Sequence, residues 1–254
     1  MHKTIPLILT LLIILLAPLT GAPQPQEIID RVMEGQSSDS SALDIELTLI
    51  DSGGQERTRR LQTLSLTEKG RTSSITVFLS PSSVKNTRFL AVENDQGKTD
   101  QWIYLPALKR VKRIAATEEG GSFMGSDFSY ADMASTTYES DEATHILLEE
   151  TASTYVLRSV PFDATTYGKT ETTVDKDTYL PLQVDFYSTD GTTLEKQLVT
   201  QQIEQVKGKW IPKVITMTTI SSGHSTRIEI IQSQYDIAMN SNYFTTRFLE
   251  TGRP

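Results

Sequence analysis

The chain begins with an apolar run, Ile5 to Leu16, broken only by Pro6 and Thr10, and then changes rhythm twice. His2 and Lys3 precede that run, and Thr20-Gly21-Ala22 follows as a small-x-small cleavage site, so residues 1–22 read as a secretory signal peptide. Pro18 interrupts the run, which falls short of the ~20 apolar residues that a spanning helix needs. From Gln26 to Gln36 the period is helical, with Ile28, Ile29, Val32 and Met33 on one face and Glu27, Asp30, Arg31 and Glu34 on the other. Gly35 and the serines beyond it end the helix.

From Ala42 the period becomes two. Leu43, Ile45, Leu47 and Leu49 alternate with Asp44, Glu46 and Thr48, the pattern of a half-buried strand, and Asp51-Ser52-Gly53-Gly54 is its turn. Similar units recur: Ile75, Val77 and Leu79 on one side of a strand, Phe89 to Val92, then Gln101 to Leu105 after the turn Asn94-Asp95-Gln96-Gly97. The second half continues through Ile146 to Leu148, Tyr155 to Val160, Leu182 to Tyr187, Leu194 to Val206, Ile211 to Ile220 and Thr226 to Tyr235. Turns of the kind that reverse antiparallel strands stand between them at Asp190-Gly191, Lys207-Gly208 and Ser222-Gly223. The pattern predicts a long antiparallel meander. Its many threonines and serines suit a sheet with one face in water and one against apolar material, hence a curved sheet or partial barrel.

Lys109 to Tyr138 breaks the alternation. A basic cluster, Lys109-Arg110-Val111-Lys112-Arg113, leads through an acidic-glycine turn into Ser122-Phe123-Met124-Gly125-Ser126-Asp127-Phe128-Ser129-Tyr130-Ala131-Asp132-Met133. An irregular stretch of this length with aromatic side chains is more often functional than accidental. Asp127 is read as the cap of a short helical turn over Ser129 to Met133.

Composition narrows the classes. With 24 basic and 32 acidic side chains the protein lacks the field that nucleic-acid binding needs, so nucleic acid is excluded as a main partner. There are no cysteines, so a domain exported into an oxidising compartment must be held by its core, and residues 23–254 are long enough to supply one. No cysteine follows the leader to carry a lipid anchor, and the expectation is one soluble, monomeric periplasmic domain over residues 23–254.

Candidate chemistry is sparse. His145 and His224 are far apart, and Asp175-Lys176-Asp177 lacks the glycine and closing glutamate of a calcium loop, so no metal and no cofactor are expected. No Gly-x-Ser-x-Gly elbow exists. Gly125-Ser126-Asp127 sets a serine between a glycine and an acid, and its histidine would have to be the remote His145 or His224. The basic cluster has two readings. It is either an edge strand that lysine and arginine protect from aggregation, or the site of an anionic head whose acyl chains lie against Phe123, Met124 and Phe128. Those aromatics could equally plug the open end of the sheet.

The run from Gln101 to Ile114, with Trp102, Tyr104, Pro106, Arg110 and Arg113, followed by Gly121 to Met133, resembles the signature of the outer-membrane lipoprotein-sorting protein family, LolA/LolB-like. It is most similar to the branch found alongside RND-type (MMPL-like) exporters, and the likeness continues through Tyr179-Leu180-Pro181-Leu182, Gly208-Lys209-Trp210-Ile211-Pro212 and Tyr243-Phe244-Thr245. The resemblance implies a mainly β, LolA-like fold: a strongly curved, unclosed antiparallel sheet with helices and a loop over its concave apolar face. It also implies a non-enzymatic carrier of lipid or acylated protein, with an inner-membrane RND-type transporter and an outer-membrane acceptor as partners. On it, Trp102, Tyr104, Arg110, Arg113, Phe123, Met124, Phe128 and Tyr130 are the candidate lipid contacts. Pro106, Gly121, Gly125, Ser126, Asp127 and Asp132 are the structural motif.

Overall fold

The structure is a computed structural model that describes residues 23–134, 142–164 and 166–254. The leader lies outside these residues, as does the stretch 135–138 of the interruption. Helix α1 (Pro25–Gln36) starts with proline at its first turn, where a missing N–H costs nothing. Six strands follow: β1 (Ser40–Ile50), β2 (Glu56–Glu68), β3 (Arg71–Ser80), β4 (Arg88–Glu93), β5 (Thr99–Leu105) and β6 (Arg110–Arg113). After α2 (Tyr130–Ala134) come β7 (Ala143–Glu150), β8 (Thr154–Pro161), β9 (Lys169–Asp175), β10 (Pro181–Tyr187), β11 (Leu194–Val206), β12 (Lys209–Thr219) and β13 (His224–Tyr235), then α3 (Thr246–Thr251).

All thirteen strands form one antiparallel sheet in the order β6-β5-β4-β3-β2-β1-β13-β12-β11-β10-β9-β8-β7. Two meanders are therefore joined at their middle. The first runs outward from β1 to the edge β6, and the second runs inward from the opposite edge β7 until β13 pairs with β1, Leu47 opposite Ile228. The two edges do not pair with each other, so the sheet is not a closed barrel. It is nonetheless strongly bent. Strands β5 and β9 would lie on the order of 40 Å apart across a flat sheet at ~4.8 Å per strand, yet Gln101 of β5 and Thr170 of β9 line one pocket of about 500 Å³.

The inner face of this bend carries most of the core. Ile45, Leu47 and Leu49 of β1, Leu61 of β2, Phe78 of β3, Phe89 of β4 and Ile103 of β5 form one cluster. Val184 and Phe186 of β10, Leu198 of β11 and Met217 of β12 form a second. Helix α1 closes a third by laying Ile28, Ile29 and Val32 on Tyr155, Leu157 and Val174. At about 1.5–3 kcal/mol for each fully buried aliphatic side chain, that contact and not intrinsic propensity holds a helix this short in place.

On the outer face the apolar cover is α3. There Phe248 and Leu249 cover Ile75 and Leu90, with Trp102, Tyr104 and Val111 at the margin. Arg88 locks the helix end, donating to the Leu249 carbonyl at 2.6 Å while stacking over Tyr104. Strand β3 is thus buried on both faces, Ile75 outward and Phe78 inward, whereas Leu79, expected beside Ile75, is 43% exposed beyond the reach of α3.

Three strands had no clear signal. In β9 the inward positions are Thr170, Thr172 and Val174, so threonine stands where an apolar residue would have marked the face. In β2 a basic start, Arg57 to Arg60, masks the alternation. Strand β6 is nearly all charge because it is the sheet edge, as the aggregation argument expects.

Gly168 before β9 is fixed by close packing: a Cβ there would stand 2.5 Å from the Thr189 carbonyl oxygen and 2.7 Å from the Gly191 nitrogen. Gly168→Ala should therefore cost about 2–4 kcal/mol by urea unfolding, since backbone must move. Gly125→Ala, at φ +76° with open space around it, should cost about 1–2 kcal/mol. Equal costs would contradict the packing argument.

Candidate functional site

The chain between β6 and β7 has to travel from one edge of the sheet to the other, and its described part, Ile114 to Ala134, lies across the inner face. Pro106 and Lys109, the latter in the left-handed region, turn β5 into β6, after which Ile114 returns inward and donates to the Gln101 carbonyl at 2.9 Å. The segment from Ile114 to Ala134 holds itself together by backbone bonds, Phe123 N to Phe128 O at 2.7 Å and Tyr130 N to Gly121 O at 3.1 Å. Gly121 is required there, because a Cβ would sit 2.9 Å from the Glu118 carbonyl oxygen. Met124 and Gly125 both adopt positive φ, reversing the chain so that Phe123 and Phe128 point into the sheet.

Phe123 is fully buried and packs edge-on to Phe89 at 5.1 Å and to Tyr130 at 5.6 Å, with Phe78 beside it. Phe128 joins the second cluster with Tyr167 and Phe186. One crossing segment thus stitches both halves of the inner face together.

Polar anchors fix it. Asp127 is buried, and its carboxylate accepts from Thr219 at 2.6 Å and Thr226 at 2.6 Å, with His224 Nδ1 at 2.7 Å. Asp132 is also buried. It accepts from the Ser129 N–H at 2.7 Å and from the Tyr167 hydroxyl at 3.1 Å, and Lys196 Nζ lies 3.5 Å away with little exposure of its own. Burial pushes the Tyr167 phenol far above its ordinary value, and the Asp132 charge adds to that. Arg59 of β2 donates to the Met124 carbonyl at 2.7 Å, an anchor that the sequence did not single out because it sits in an unrecognised strand.

Two expectations change. The cap of α2 is Ser129, whose hydroxyl accepts from the Asp132 N–H while Asp132 reaches back to the Ser129 N–H, so Asp127 ties the segment to β12 and β13 and caps nothing. Ser126 donates to the Phe123 carbonyl at 2.7 Å and has no contact with His224, although His224 does meet Asp127. A buried hydroxyl committed to carbonyls gives no nucleophile. Asp175 accepts from Asp177, Thr178 and the Thr178 hydroxyl, the bonding of a surface turn.

The candidate lipid contacts do not fall together. Phe123, Met124, Phe128 and Tyr130 lie on the inner face, largely as packing that fills it. Trp102 and Tyr104 point the other way, toward α3. Arg113 pairs across from Trp102 and bonds Asp100, holding that carboxyl below its usual range. Arg110 borders a shallow outer hollow beside Arg247 and Glu250 of the α3 region. Alternation along β5 and β6 separates them, because neighbours in a strand face opposite ways.

What the inner face leaves open lies elsewhere. A cavity of about 1150 Å³ extends between α1, the inner side of β1 to β4 and the start of β12, with Met33, Leu43, Ala91, Ile211 and Ile230 among its apolar walls and Ser65, Ser74 and Thr99 among its polar ones. The pocket of about 500 Å³ adjoins it, since Gly97, Thr99, Ala134 and Glu142 line both. No helix among the described residues is long and apolar enough to cross a membrane, and no group of metal-ligating side chains occurs among them.

A bent, open antiparallel sheet roofed by a helix and a crossing segment, with space left beneath, defines the LolA-like class. A family model described only as an uncharacterized protein family matches residues 70–251. An outer-membrane lipoprotein-sorting protein domain from Vibrio parahaemolyticus is 30% identical, with a TM-score of 0.81 over 89% of this chain and 97% of that one. A DUF1329 family protein from Desulfovibrio piger is 27% identical, with a TM-score of 0.82 over 89% and 97%. A LolA superfamily protein from Nitrosomonas europaea shares the fold at a TM-score of 0.70 and 20% identity, over 89% of this chain and 100% of the other. No curated protein matches the chain. The chain belongs to the outer-membrane lipoprotein-sorting protein family.

Asp127→Asn should lower stability by about 1–3 kcal/mol, because an amide offers one acceptor oxygen where the threonine hydroxyls and His224 need a carboxylate. Limited proteolysis should then cut the chain between residues 114 and 133 faster. An unfolding midpoint and cleavage rate equal to those of the wild type would show that the segment is held by something else.

Proposed function

We propose that this protein is a periplasmic carrier that binds a lipid or lipid-modified cargo in the inner-face cavity and moves it between membranes. The observation that carries the reading is the unfilled volume: although the crossing segment packs its aromatics against the sheet, about 1150 Å³ stays open between α1 and β1 to β4. Ligand sites run from about 300 to 1,000 Å³. An acyl chain entering such a space gains about 0.8 kcal/mol for each methylene removed from water. The walls mix apolar side chains with serine and threonine hydroxyls and with carboxylates such as Glu34 and Glu93, which suits an amphiphile better than a hydrocarbon.

Other support is indirect. The V. parahaemolyticus relative is described as an outer-membrane lipoprotein-sorting domain, which favours an acylated protein as cargo. The leader at residues 1–22 and the lack of any cysteine favour a soluble protein free in the periplasm. The resemblance of residues 101–133 to the exporter-associated branch favours an inner-membrane RND-type transporter as donor and an outer-membrane protein as acceptor. Ser126, turned onto backbone carbonyls, gives no support to a hydrolase.

Organic extraction and mass spectrometry of protein taken from the periplasm should find acyl-chain material at about one equivalent. Ser74, half-buried on the cavity wall, is the place to fill it: Ser74→Trp should weaken Nile red binding by about ten-fold or more and leave the unfolding midpoint within the range of surface substitutions. Protein that carries no lipid and binds Nile red equally with or without the tryptophan would refute the carrier reading and leave a docking module.

A further inference from the structure

Carboxylates line both spaces, and what sets the smaller pocket apart is a buried carboxamide oxygen without a partner. Gln101 of β5 reaches into its wall, is only 2% exposed, and its Oε1 has no hydrogen-bond partner. Burying a carboxamide oxygen unpaired costs about 1–3 kcal/mol, so a position of this kind is tolerated where something else completes the bond. Around it the walls are acidic. Glu119, Asp132, Glu142 and Asp163 all line the pocket, and Lys98 is the one lysine or arginine among the described residues that does. Asp132 is neutralised by Lys196. The Glu119 carboxyl is pushed above its ordinary value, first by burial and then by the charge of Asp100.

Such a field repels an anion and attracts donors. Phosphate or carboxylate would meet several carboxylates at short range, whereas a hydroxyl or ammonium would find acceptors in Gln101 and the acidic walls. The arginines that would have held an anionic head, Arg110 and Arg113, stand at the edge strand, and Arg113 is already paired with Asp100. The pocket lies beside the large cavity, with Thr99 and Ala134 in the walls of both, so a head here and a chain there can belong to one molecule.

We propose that this pocket receives the polar head of the carrier's amphiphilic cargo, and that the head presents hydrogen-bond donors and carries no net negative charge. The inference rests on the carrier reading above and specifies its ligand class. The test uses three amphiphiles of equal chain length below their micelle-forming concentrations: dodecylammonium, monododecanoylglycerol and dodecyl phosphate, titrated calorimetrically into the purified protein. The first two should bind at least about ten-fold tighter than the phosphate, a difference of about 1.4 kcal/mol. Gln101→Leu, similar in volume, should weaken the glycerol ester about five-fold, the worth of one neutral hydrogen bond, and leave Nile red binding unchanged. Glu119→Gln should narrow the gap between phosphate and ammonium.

Dodecyl phosphate binding as tightly as dodecylammonium would overturn the head assignment while the carrier reading stands. Failure of all three to bind, with Nile red also excluded, would instead remove the carrier reading itself.

Discussion

The constraint on which this molecule depends is topological. Strands β6 and β7 are consecutive in the chain but stand at opposite edges of a thirteen-strand sheet, so the residues joining them must cross one whole face. A flat sheet would make that journey about 58 Å at ~4.8 Å per strand. Bending shortens it and turns the crossing segment into a roof. The bend also moves the inner surfaces of distant strands together, which is why β5 and β9 can share a pocket. Roof and cavity are two results of one connection.

The roof is fastened to the second half of the sheet by two buried carboxylates. Asp127 gathers donors from β12 and β13, and Asp132 gathers Lys196 from β11 and Tyr167 just ahead of β9. Between them Phe123 and Phe128 fill the middle of the inner face. Buried charge is expensive unless bonded, and here Asp127 is bonded at both oxygens while Asp132 gathers its donors on Oδ2. The open space is consequently displaced sideways, toward α1 and the inner side of β1 to β4, where serine and threonine line the walls and no aromatic from the roof reaches.

Much of this was legible in the sequence and part of it was not. Alternation and short apolar runs gave every strand except β2, β6 and β9, and the i, i+3, i+4 pattern gave α1 with its buried face. Strands β2 and β9 escaped because arginine and threonine occupy positions that an apolar residue would have marked. The special character of residues 121–133 was visible as a break in alternation, yet its partners were not, since Asp127 meets Thr226 across 99 positions of chain. Sequence proximity also misled. Trp102, Tyr104 and Arg113 adjoin the roof in the chain but face the other side of the sheet, and the cavity is lined instead by residues such as Leu43, Ser74 and Ile230 that carry no motif.

The central claim is that a hydrocarbon chain lodges on the inner face beneath the roof. Paramagnetic broadening tests it most directly: a fatty amide bearing a nitroxide near its chain terminus is added to isotopically labelled protein, and the amide signals are followed. The account predicts selective loss of signal at Leu43, Ser74, Ala91 and Ile230, with Trp102 and Phe248 on the outer face unaffected. Broadening confined to outer-face or exposed side chains such as Leu79, or no broadening at saturating label, would contradict it.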